Sequence, residues 1–146
     1  MMARFIFTFL SFALALLAFK AEAAPLQARQ IGDLQCNIAR LQTVSALGQA
    51  QNLLGKIDTT DPNVASAVST ASDGLNSAQA GIKTIGGAIV SGQTAPADAR
   101  DQVGTGLTDA LTALDGLDST DPAVSDTVSK VNDAISAGQS VVADCK

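Results

Sequence analysis

The chain of 146 residues contains no His, Trp or Tyr. Without His there is no Ser–His or Cys–His nucleophile pair, and no imidazole to hold a metal. All five Phe (Phe5, Phe7, Phe9, Phe12 and Phe19), both Met and the single Glu, Glu22, lie within the first 23 positions. Beyond Ala23 the chain is built without any aromatic, Met or Glu. It carries seven Lys and Arg against 13 Asp there, a net charge of −6. Negative charge opposes a phosphate backbone, and no ring is present to stack on a base, so nucleic acid is excluded as a partner. The glycines are scattered, with no phosphate-binding loop after a strand, and no Asp-rich stretch has the spacing of a calcium-binding hand. None of the Asn residues begins a glycosylation sequon. No enzyme activity, cofactor or metal site is expected.

What is present begins with a secretory signature. Arg4 supplies a positive start, residues 5–19 form an apolar run too short for a membrane span, and Ala21, Glu22 and Ala23 fit a small-x-small cleavage pattern. The reading is a signal peptide over residues 1–23, a flexible lead-in over 24–31 and one helical domain over 32–146. No apolar tail follows Lys146, so neither a lipid anchor nor a transmembrane segment is expected. The two cysteines, Cys36 and Cys145, most simply form one disulfide in a secreted chain. It would close a loop of about 110 residues, for which the chain-entropy model gives ~4–5 kcal/mol.

The chain also repeats itself. Asp58, Thr60, Asp61, Pro62 and Val64 return 60 positions on as Asp118, Thr120, Asp121, Pro122 and Val124. Over residues 57–85, nine of 29 positions are identical at that offset. Two copies of such a period argue for a duplicated helical hairpin, with units over about residues 40–90 and 100–146. Asp61 and Asp121 suit helix caps, and Pro62 and Pro122 suit the first helical position, where no N–H is needed. A weak cation site at the paired carboxylates is the alternative reading.

In the second helix of the first copy, Val64, Val68, Ala71, Leu75, Ala78, Ile82, Ile85 and Ile89 recur at steps of four and three. The second copy gives Val124, Val128, Val131, Ile135, Gly138, Val142 and Cys145. Such steps place each set on one helical stripe. Helices are predicted over 31–57, 62–91, 96–117 and 122–144. The first would turn Leu34, Ile38, Leu41, Leu47, Ala50, Leu54 and Ile57 inward, with a phase slip near Val44. The third would turn Val103, Leu107, Ala110, Leu114 and Leu117 inward. The short first connection predicts the second helix antiparallel beside the first. The whole is expected to be an all-α antiparallel bundle of four helices, or five if Gly86 and Gly87 divide the second.

An aliphatic core interrupted by Gly74, Gly81, Gly86, Gly87, Gly104, Gly106 and Gly138 is expected to be loosely held. Such a bundle could open near residues 92–96 and lay its stripes on an oily surface, or enclose an acyl chain. The binding face would be Val64, Val68, Leu75, Ile82, Ile85, Ile89, Val103, Leu107, Leu114, Val124, Val128, Val131, Ile135 and Val142.

The secretory start, the Ala/Ser/Thr/Asp-rich helical domain, the Val/Leu/Ile spacing and the repeated Asp-Pro openings together resemble the fungal family of hydrophobic surface binding protein A and the cell wall galactomannoproteins. The resemblance implies a secreted or wall-associated helical bundle. Members coat hydrophobic solids and help recruit polyester-degrading esterases, or take up fatty acids between helices. The chain departs from the family in having no sequon, no aromatics and no long Ser/Thr stalk. The expected function is therefore a secreted, extracellular or cell wall associated amphiphilic protein without catalysis. It would bind hydrophobic surfaces or lipids, with a secreted esterase or cutinase as partner. The alternatives are a fatty-acid-sequestering carrier, and a structural wall mannoprotein or secreted host-directed factor without a ligand.

Overall fold

A computed structural model describes residues 34–117 and 119–145. The expected signal peptide and lead-in, and Asp118, lie outside the described residues. Four helices make up the secondary structure that is described, and among the described residues there is no strand. They are α1 (Leu34–Leu54), α2 (Pro62–Val90), α3 (Ala97–Asp115) and α4 (Pro122–Asp144).

The helix boundaries follow local chemistry. Asp61 caps α2, its carboxylate accepting the Asn63 N–H at 2.7 Å, and Asp121 caps α4, accepting the Ala123 N–H at 2.8 Å. Pro62 and Pro122 open the two helices, as their spacing after Asp predicts. Gly86 and Gly87 do not divide α2, which runs unbroken through them, so the bundle has four helices and not five. The helix ends at Val90, and the chain turns at Gly92, whose φ of +70° falls where an L side chain is disfavoured. The N–H groups of Gly92 and Gln93 turn back to the carbonyls of Ile89 and Ala88, at 3.0 and 2.8 Å. α1 ends three residues short of expectation. Residues 55–57 form a turn, although Ile57 stays buried.

α2 lies beside α1, as predicted, but it packs most closely on α3, and α1 on α4, while the contact between α1 and α2 is slight. Residue size gives the reason. A Cβ on Gly74 would lie 2.6 Å from the carbonyl oxygen of Gly106 and 2.9 Å from the backbone nitrogen of Ala110. One on Gly81 would lie 2.7 Å from the carbonyl oxygen of Ala99. The two backbones are in contact, a geometry that only glycine permits and that Cα–H···O contacts reinforce. These glycines tighten the bundle. The expected loosening by glycine does not apply to Gly74, Gly81 and Gly106. Gly86, Gly87, Gly104 and Gly138 meet nothing within 4 Å of an added Cβ.

The direction of the pairs is fixed by named contacts. Gly74 faces Gly106 and Gly81 faces Ala99, so α2 and α3 run antiparallel. The Cys36–Cys145 disulfide forms as predicted, joining the start of α1 to the end of α4. At the opposite end the Asp58 N–H reaches Asp121, so α1 and α4 are antiparallel too. The buried positions of α1 recur 60 residues on in α3: Ala39 and Ala99, Ala46 and Gly106, Leu47 and Leu107, Ala50 and Ala110, Leu54 and Leu114.

All four helices contribute to one core. It contains Leu47, Leu54 and Ile57 from the first helix and its turn, Leu75 from α2, Leu107 and Leu114 from α3, and Val124 and Val131 from α4. The buried hydroxyls of Thr43 and Thr127 are bonded to the carbonyls of Ala39 and Ala123, four residues back. No buried polar side-chain atom among the described residues lacks a partner.

Candidate functional site

The two Asp-Pro corners lie together at one end of the bundle. Asp121 serves both. One carboxylate oxygen caps α4 while the other accepts the Asp58 N–H at 3.2 Å. Asp58 in turn accepts the N–H of Thr60 at 3.0 Å and the Thr60 hydroxyl. The Thr60 hydroxyl bond, then the Thr60 backbone bond, hold the Asp58 carboxyl below its ordinary value of 3.8. Oδ1 of Asp58, Oδ1 of Asp61 and both oxygens of Asp121 take the chain's own donors, and Asp61 and Asp121 fill the capping role expected of them.

The inward stripes behave differently along their length. Leu75, Leu107, Leu114, Val124 and Val131 of the predicted binding face are buried core. Val64, Val68, Val103, Val128, Ile135 and Ile82 are partly buried against that core. Towards the far end Ile85 and Ile89 stay half-exposed, and Val142 is 69 % exposed on the same stripe as buried Val131. The structure thus brings most of the predicted residues into one seam. On α2 it is deepest at mid-helix and half-buried towards both ends, and on α4 it emerges at Val142.

α1 departs from its predicted stripe. Leu34, Ile38 and Leu41 do not face the core; they are 70 %, 37 % and 71 % exposed, and Val44 is 50 % exposed. The buried face of the first half of α1 is instead Cys36, Ala39 and Thr43. The signal that would have found this is the disulfide. Cys36 must face α4 to reach Cys145, and Ala39 and Thr43, three and seven positions on, share its side of the helix. Small residues suit the close approach to α4, which leaves the large ones outside. With Val90, 90 % exposed, the exposed large hydrophobics among the described residues number six. All six lie on the first half of α1 or the last turns of α2 and α4, at the end away from the corners. Apolar side chains gathered at one end of a helical bundle, rimmed by polar ones, form the sort of patch that marks a contact with an apolar partner.

There are two surface depressions, one between α2 and α3 and one on α3 alone. One is lined by Thr70, Asp73, Gly74, Ser77, Asp109, Thr112 and Ala113, the other by Arg100, Asp101, Gly104, Thr105, Thr108 and Asp109. Both are open and edged with carboxylates and hydroxyls, a poor lining for an acyl chain. Among the described residues no group of three metal-ligating side chains is present, and no helix is long and apolar enough to cross a membrane. Comparison with protein-family models, with curated proteins and with solved structures gave no match.

Proposed function

We propose that this is a secreted, non-enzymatic amphiphilic protein that adsorbs to hydrophobic surfaces through the disulfide end of its bundle. The observation that carries the reading is the gathering of Leu34, Ile38, Leu41, Val44, Val90 and Val142 at one end, where the aliphatic seam emerges. Burying apolar surface against an oily solid is favourable by about 25 cal/mol per Å², so a patch of several large side chains gives useful adsorption without a pocket. The disulfide fits an oxidising, extracellular or wall location. The resemblance to the fungal surface-binding family supports the same reading and adds a secreted esterase or cutinase as partner.

Adsorption is favoured over sequestration of a fatty acid because the surface depressions have polar edges and the core between the helices is occupied by Leu75, Leu114 and Val131. The bundle is a duplicated hairpin on this reading. Support comes from the recurrence of both the Asp-Pro corners and the buried positions of α1 in α3. The test is depletion of the purified protein from solution by polyester or wax particles. Depletion beyond that of a folded protein of equal charge is expected, and its absence would remove the reading. Native mass spectrometry of protein from the producing cells should show no bound fatty acid. A stoichiometric acyl ligand would move the assignment to a carrier.

A further inference from the structure

The disulfide and the peptide chain together make a closed ring: α1, corner, α2, loop 91–96, α3, corner, α4, and back through Cys145 to Cys36. A ring of four helices can open in two ways. It can bend at loop 91–96 and at the disulfide, which separates α2 from α3 and α1 from α4. Or it can bend at the two corners, 55–61 and 116–121, which separates the α1·α4 pair from the α2·α3 pair. The interfaces decide between them. The first route would part the backbone contacts of Gly74, Gly81 and Gly106 and strain the Cys36–Cys145 connection. The second parts α1 from α2 and α3 from α4, which touch far less.

We infer that the bundle opens at its two Asp-Pro corners as a pair of stiff arms. The glycine-locked α2·α3 arm swings away from the disulfide-stapled α1·α4 arm, so that the aliphatic seam between them spreads on an apolar surface. The inference rests on the adsorption reading above and supplies its moving part. On this inference the loop at residues 91–96 is the closed tip of one arm. Its Gly92 is used to turn the chain back on itself, with N–H groups bonded to α2.

The exposed ends of two helices point the same way. The mouth end already shows Val142 and Val90 to solvent, while Leu75, Leu114 and Val131 within the bundle are sealed. In water, opening exposes that sealed set and is opposed. Against an oily surface the same side chains are covered again, so the surface binds the open form in preference and shifts the population towards it. The inter-corner bond from Asp58 to Asp121 sits at the pivot, where opening need not break it.

The test uses the full secreted protein with its disulfide intact, spin-labelled at exposed positions. Thr84→Cys with Ser140→Cys places one label on each arm. Thr70→Cys with Thr112→Cys places both on the α2·α3 arm, at the end away from loop 91–96. Distances are measured in buffer and on polyester nanoparticles, with adsorption read separately by depletion. On the particles the inter-arm distance should lengthen by about one helix spacing, ~10 Å, with the intra-arm distance unchanged. Lengthening of the intra-arm distance would overturn the corner hinge in favour of the 91–96 loop. Adsorption with neither distance changed would overturn opening while keeping the binding role. Failure to adsorb would overturn the binding role itself and the opening that depends on it.

Discussion

The carboxylate of Asp121 takes the N–H of Asp58 on one oxygen and the N–H of Ala123 on the other, so a single side chain caps a helix and ties together corners 63 residues apart. Replacing Asp121 by Ala removes both bonds. A lost cap costs about 1 kcal/mol and a lost partly exposed hydrogen bond about as much again, for ~2 kcal/mol in all. Asp121→Asn keeps one oxygen acceptor and should recover roughly half. Urea unfolding followed by circular dichroism checks both. An Asp121→Asn variant as stable as the parent would show that the second bond adds no stability, and equal losses in the two variants would show that the retained bond adds none.

Glycine substitutions should split into two groups of opposite sign. Gly74→Ala and Gly106→Ala force a methyl group into the facing backbone and should destabilise by about 1–3 kcal/mol. Gly86→Ala, Gly87→Ala and Gly138→Ala meet open space inside helices and should stabilise by about 0.5–1 kcal/mol each. Thermal melting of the five single variants, ranked against the parent, measures the split.

Reducing the Cys36–Cys145 bond releases a loop with a sequence separation of 109. The unfolded chain then regains freedom worth about 4–5 kcal/mol in the chain-entropy account. The urea midpoint should fall by a corresponding amount in reductant, and the Cys36→Ser/Cys145→Ser variant should match the reduced protein. A midpoint unmoved by reductant would mean that the bond constrains little in the unfolded chain.

The Asp58 carboxyl titrates below its ordinary 3.8 because the Thr60 hydroxyl and then the Thr60 N–H donate to it. A depressed folded value stabilises the fold above the unfolded value and loses that contribution as the pH falls through the folded one. Thr60→Val removes the first of the two donors. The stability gap between parent and Thr60→Val should therefore be constant above pH of about 4 and should shrink at lower pH. Denaturation midpoints collected across that range test the sign.

On the outer side of α1, Leu34→Ser, Ile38→Ser and Leu41→Ser combined should leave stability within about 0.5 kcal/mol for each change, since these side chains cover no core. Depletion by polyester particles should fall several-fold in the triple variant. A variant that adsorbs as well as the parent would place the contact elsewhere than on α1.

Much of the architecture could be read from residue order. Asp61-Pro62 and Asp121-Pro122 mark helix starts by a local rule, and the structure follows it to the residue. The spacing from Val64 to Ile89 and from Val124 to Val131 marks inward stripes because large aliphatic residues there outweigh any competitor. The front of α1 was not legible in the same way. Hydrophobicity ranks Leu34, Ile38 and Leu41 above Cys36, Ala39 and Thr43, but proximity to α4 selects for small side chains. The tight packing of α2 on α3 was hidden for the same reason. Gly74 and Gly106 lower helix propensity in isolation, and that local cost hides the close packing they permit once α3 lies beside α2.

Because Cys36 and Cys145 join the two outermost helices, a protease that cut the exposed turn at Gly92 and Gln93 would release nothing. The severed halves would remain one molecule, held by sulfur on one side and by interlocked backbones on the other. Survival of a single nick is a direct consequence of linking the first described helix to the last.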